Sequence, residues 1–196
     1  MKTSLAAKRL IPCGLVVMLL VPTFVCGAEP ERSALPEPFS PDRLLWELEL
    51  GSHQYTVPRI DDGQIFMGIN DLAIDHPAIK SSGGGILMCR EAATGKLIWQ
   101  LPIPRNMEGT DPPSHFGHWK CGVCSQPAID GDRLFMVGLR GDVLCIDRNG
   151  QADGNDGPFL DDARYMGVPE ASNYKLSKLD GDIVWRLDMI EQLGVV

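Results

Sequence analysis

The fold is decided by two stretches read against each other: VPRIDDGQIFM at residues 57–67 and QPAIDGDRLFM at residues 126–136. They agree at Pro, Ile, Asp, Phe and Met and share an Asp-Gly turn between two short apolar runs, the mark of a repeated hairpin. Working outward, GILMCRE (85–91) corresponds to GDVLCID (141–147), and GKLIWQL (95–101) corresponds to GDIVWRL (181–187). Order is kept between the copies and only the loops differ. The first copy has a longer loop around 71–83, and the second carries an insertion over 149–180. A third partial copy, RLLWEL at 43–48, matches only the final, Trp-bearing segment.

Each unit therefore predicts four strands: X-Pro-x-Ile, Ile/Leu-Phe-Met, Leu-x-Cys and Leu/Val-x-Trp. Gly, Asp or Asn bounds the runs, and none shows the period of an amphipathic helix of ordinary length. The class is all-β, and a repeated four-stranded antiparallel sheet is the blade of a β-propeller. The expected boundaries are a Trp strand over 43–50, a blade over 54–101, and a blade over 115–188 with its insertion at 149–180.

The stretches GGILMCREAATGKLIW (84–99) and SQPAIDGDRLFMVGLRGDVLCIDRNG (125–150) resemble the pyrroloquinoline-quinone (PQQ) repeat of the quinoprotein alcohol dehydrogenase-like β-propellers. The resemblance covers roughly residues 43–190. It implies that Trp99 and Trp185 are docking tryptophans covering junctions between blades, that Gly95 and Gly181 form tight turns, and that the Trp46 strand belongs to a ring-closing blade. Two blades and one strand cannot close a ring, since propellers typically use four to eight blades. The sequence is therefore expected to be an N-terminal fragment, with an incomplete propeller prone to self-association at its open edge.

Lys2, Lys8 and Arg9 precede an apolar run from about Leu15 to Val25 and small residues at Gly27 and Ala28. This pattern predicts a signal peptide over 1–28, and hence an exported, periplasmic or extracellular protein. The apolar run is short of the roughly 20 residues that span a bilayer, so no membrane span is expected after signal removal. Residues 29–42, EPERSALPEPFSPD, hold four prolines and no periodicity, and read as an extended linker.

The formal net charge is −8, more negative still once the basic signal residues leave. That balance disfavours nucleic acid and anionic membranes as partners. Protein partners through the propeller surface are the expectation.

Three groups could carry chemistry. Cys121 and Cys124, with His115 and His118 just before them, form the densest ligand cluster. A Cys121–Cys124 disulfide or redox pair, unlinked structural thiols, and a metal site using all four all stay open. Asp153, Asn155 and Asp156 cluster oxygen ligands in the insertion without the EF-hand pattern, so a turn-rich surface loop and a calcium site both stay open. Cys89 and Cys145 occupy equivalent strand positions and are expected to be unpaired. His53 and His76 have no partner in local sequence and receive no role.

No catalytic or cofactor-binding residue is assigned. The resemblance implies a non-catalytic, exported propeller module serving as a binding or scaffold surface. The alternative is a PQQ- and calcium-dependent dehydrogenase whose active-site residues lie mostly outside this sequence. Catalytic relatives carry a vicinal Cys-Cys pair, whereas this chain has Cys-x-x-Cys.

Overall fold

The computed structural model describes residues 44–105 and 121–195. The signal peptide, the linker, His115 and His118 lie outside the described residues. Two four-stranded antiparallel sheets make up the fold. Sheet 1 holds β1 (Arg59–Asp61), β2 (Gln64–Asn70), β3 (Gly85–Glu91) and β4 (Leu97–Ile103) in sequential order. Sheet 2 repeats the order with β5 (Ala128–Asp130), β6 (Arg133–Val137), β7 (Asp142–Asp147) and β8 (Ile183–Asp188). Among the described residues helix is confined to short pieces, chiefly α1 (Asp162–Tyr165) and α2 (Met189–Leu193). Among the described residues no helix is long and apolar enough to cross a membrane.

The two sheets share their register to the residue. Phe66 pairs with Cys89 and Cys89 with Trp99, as Phe135 pairs with Cys145 and Cys145 with Trp185. Each sheet also shifts register just after its cysteine, between Cys89 and Arg90 and between Cys145 and Ile146. A bulge at the same place in both copies re-aims the fourth strand identically, so each tryptophan lies over its own sheet's phenylalanine. Ring centroids are 6.2 Å apart for Phe66–Trp99 and 6.1 Å for Phe135–Trp185.

Successive strand residues face opposite sides, and sheet 1 is covered on both. One face, with Phe66, Leu87, Trp99 and Leu101, joins Leu134, Leu144 and Ile146 of sheet 2 in a single core. The other face, with Ile65, Met67, Ile69, Ile86 and Met88, is packed by Trp46 and Leu50. That two-sided cover explains why β2 and β3 read as nearly unbroken apolar runs.

Two expectations need correction. Residues 44–50 form no strand. A strand needs a neighbour to satisfy its backbone groups, and Trp46 instead reaches sheet 1 through its side chain. Gly181 is not the counterpart of Gly95. Gly95 has φ +71° and a Cβ there would lie 2.6 Å from the Trp46 ring; Gly150 has φ +59° and a Cβ there would lie 2.8 Å from the Trp99 ring. Gly150 thus plays the part of Gly95, supplying a left-handed turn that a flat ring can cover. Gly181 packs on Leu101, where a Cβ would lie 2.7 Å from the leucine Cβ.

Candidate functional site

The seam between the sheets is held by a repeated tryptophan contact and an arginine network. Trp46 Nε1 donates to the carbonyl of Ala92 at 2.9 Å, and Trp99 Nε1 donates to the carbonyl of Arg148 at 2.8 Å. Ala92 and Arg148 each directly follow the third-strand run of their unit, so one contact recurs: a tryptophan covers the glycine turn of a sheet and bonds the carbonyl at its start. Trp99 is completely buried by this arrangement, whereas Trp185 remains 37 % exposed.

Arg148 completes the seam. Its carbonyl receives Trp99, while its guanidinium donates to Gln64 Oε1 at 2.7 Å, to Asp61 Oδ2 at 2.5 Å and to the Asp61 carbonyl at 2.8 Å. The same guanidinium lies 5.6 Å from the Phe66 ring centroid, combining cation–π and charge-assisted contacts on sheet 1.

A second link was not anticipated. His76, in the long loop of the first unit, is buried with its Nε2 2.8 Å from Asp180 Oδ1. Its Nδ1 accepts from the backbone N–H groups of Ala78 and Ile79 at 3.1 and 3.2 Å, so the ring proton sits on Nε2 and is donated to Asp180. Ser177 donates to the other Asp180 oxygen through its backbone N–H at 2.7 Å and its hydroxyl at 3.0 Å. Burial alone would raise the Asp180 carboxyl, but the His76 and Ser177 hydrogen bonds outweigh it and hold it below the usual carboxylate range. The chain beside Asp180 also pairs with β4: Gln100 N–H donates to Leu179 and Gly181 N–H to Gln100, each at 2.9 Å. The insertion of the second unit thus closes the open edge of sheet 1.

Asp153, Asn155 and Asp156 do not converge on one point. Asp153 accepts from Asn149 at 3.2 Å, Asn155 donates to Asp162 at 2.8 Å, and Asp156 accepts from Arg133 at 3.1 Å. Their work is to order the insertion. The acidic centre lies deeper, at Asp147, Asp162 and Asp182, all buried. Asp182 accepts from Gln151 Nε2 at 3.1 Å and from the Asp156 N–H at 2.8 Å. Burial, reinforced by the Asp162, Asp147 and Asp156 charges, pushes its carboxyl up to about 7. Burial likewise raises Asp147 and Asp162, although Arg133 pairs with Asp147. Among the described residues no group of three His, Cys, Asp or Glu side chains is placed to hold a metal ion.

Cys121 and Cys124 are both free thiols here, Cys121 buried and Cys124 exposed. Between them Gly122 and Val123 press against the end of β2, and the Val123 N–H donates to Ile69 at 3.2 Å. This arrangement makes the Cys-x-x-Cys segment a strap joining sheet 2 to sheet 1. Burial and the neighbouring Cys121 raise the Cys124 thiol, the opposite of the activation a reactive thiolate needs. Cys89 and Cys145 are likewise free and buried, and burial pushes Cys89 up to about 12.

His76 and Arg148 had weak sequence signals. Arg148 departs from its counterpart Ala92 at a junction position, and His76 sits in a loop that one copy has lengthened. No protein-family model matches the chain, and no curated protein matches it.

Proposed function

We propose that the two sheets are consecutive blades of an exported β-propeller of the PQQ-repeat type, acting as a non-catalytic binding or scaffold module. The observation that carries this reading is the recurrent tryptophan contact, from Trp46 to sheet 1 and from Trp99 to sheet 2. A contact that recurs with the same donor, acceptor position and glycine turn is what successive units set around a common axis would share, and it supports this reading.

The surface role rests on chemistry. Asp162 and Asp182 are committed to hydrogen bonds that hold the insertion on sheet 2, and burial raises the Cys89, Cys124 and Cys145 thiols. What the sheets present outward is the apolar face of sheet 2, where Val137 and Trp185 are 47 % and 37 % exposed. Such a face is a contact surface.

The test has two arms. Electron microscopy of the protein is expected to show sheets set radially about a common axis, and two sheets stacked flat in a sandwich would remove the propeller reading. Adding pyrroloquinoline quinone and calcium is expected to give no dye-linked oxidation of alcohols or sugars. Turnover would replace the scaffold reading with the dehydrogenase.

A further inference from the structure

We propose that the small pocket beside α1, walled by Phe159 and Tyr165 and rimmed by Arg140, Arg164 and Arg186, binds a small oxyanion, a carboxylate or phosphate group. The inference is independent of whether the sheets are propeller blades.

Three separate elements bring the arginines together. Arg140 comes from the β6–β7 turn, Arg164 from α1 and Arg186 from β8, and with Asp161 they line a cavity of about 150 Å³. The Arg140 and Arg186 guanidinium carbons lie 5.5 and 5.8 Å from the Tyr165 ring centroid, so one buried aromatic ring positions two cations.

Their charges are not equivalent. Arg186 is committed, donating from Nε to Asp142 Oδ2 at 2.7 Å and from a terminal nitrogen to Asp188 Oδ2 at 2.6 Å. Arg140 and Arg164 make no ion pair and donate no hydrogen bond among the described residues.

In a chain with 26 acidic and 18 basic residues, two guanidiniums around one concave site have no acidic partner among the described residues. Isolated exposed arginines are merely solvated. Arginines that line one concave site offer planar donor forks to a shared ligand, the arrangement that takes up a carboxylate or phosphate. Asp161 at the rim trims the positive field, favouring a singly charged group over a polyanion. The cavity is smaller than those that enclose whole drug-sized ligands, roughly 300 Å³ and above, so it fits the oxyanion group and a few attached atoms.

Melting and calorimetric titration of the full chain would test the site, with sodium phosphate and sodium acetate in separate arms against sodium chloride at matched ionic strength. Phosphate or acetate is expected to raise the melting temperature saturably, as a ligand of the native state does. Arg140→Gln and Arg164→Gln are each expected to weaken that binding about tenfold, from the loss of a charge-assisted contact. The ligand-free melt of Arg164→Gln should match the parent, because Arg164 makes no ion pair among the described residues, whereas Arg140→Gln also loses its contact with the Tyr165 ring and should melt slightly lower. Arg59→Gln, on the exposed β1, should bind like the parent. The arm that binds identifies the geometry preferred, planar or tetrahedral. An equal rise with chloride, or full binding in both variants, would overturn the proposal.

Discussion

Sheet 1 and sheet 2 have the same strand order, pairing register, bulge and Phe–Cys–Trp row, yet Trp99 is fully buried and Trp185 is 37 % exposed. The difference does not lie in either sheet. It lies in what stacks on it: sheet 2 brings the Arg148 carbonyl, the Gly150 turn and the Arg148 guanidinium to Trp99 and Phe66, whereas among the described residues Trp185 has its own sheet's Phe135 beside it at 6.1 Å and no second sheet stacked on it. One local design therefore performs two tasks, a finished seam in the first copy and an available one in the second.

The largest expected effect separates the two tryptophans. Trp99→Ala removes a buried ring and its hydrogen bond, and should cost about 3–5 kcal/mol in a denaturant melt. Trp185→Ala should cost under about 1 kcal/mol, since most of what it loses is partly solvated contact. Equal costs would mean that the sheet 2 face is covered in solution, and the contrast between the sheets would vanish.

Next comes the His76–Asp180 link that closes the edge of sheet 1. Asp180→Asn removes the carboxylate that accepts from His76 and Ser177 and, at 3.3 Å, from the Tyr174 hydroxyl, and should cost about 1–3 kcal/mol, accompanied by faster amide exchange in Gln100 and Gly181. In the parent this carboxyl is held below its ordinary range. Its stabilisation is therefore complete at neutral pH and is lost as pH falls below the ordinary carboxylate range through the lowered folded value. A melt with no acid-side loss attributable to Asp180 would argue that the link is incidental.

The acidic centre of sheet 2 runs the other way. Asp182, raised from 3.8 to about 7, favours folding when protonated. Its contribution is present below the unfolded value and declines as pH rises from about 4 to about 7. Asp182→Asn should flatten that part of the stability profile and raise the melting temperature at pH 8, while changing it little at pH 4. An unchanged profile would show that the charge is solvated.

The smallest effect is kinetic. Cys89 lies under the covered seam and Cys145 under the open one, although both are buried. Thiol labelling should modify Cys124 first, then Cys145, then Cys89, because local opening is cheaper where no second sheet of the described residues is stacked above. Equal rates at Cys89 and Cys145 would mean that the seam adds no local stability.

Much of this was legible in the sequence. The Asp-Gly turns and paired Phe-Met runs locate β1, β2, β5 and β6, and the Trp-bearing runs locate β4 and β8. Turns and period-2 patterning are local, so a single chain displays them. The oxygen-rich run at Asp153–Asp156 was legible as a loop, but its partners were not, because Asp162 and Asp182 reach it only through folding. Alignment by the Trp strand pairs Gly181 with Gly95, but the insertion moves the equivalent left-handed turn to Gly150, a shift that no local pattern displays.

By itself the sequence determined the repeated four-stranded unit, because apolar alternation and turn residues act over a few neighbours. Only the tertiary structure decided which tryptophan is sealed, which buried charges are paired and which arginines stand unpaired around a cavity. Those properties belong to groups from distant parts of the chain, and burial and Coulomb energy depend on what surrounds a residue in space.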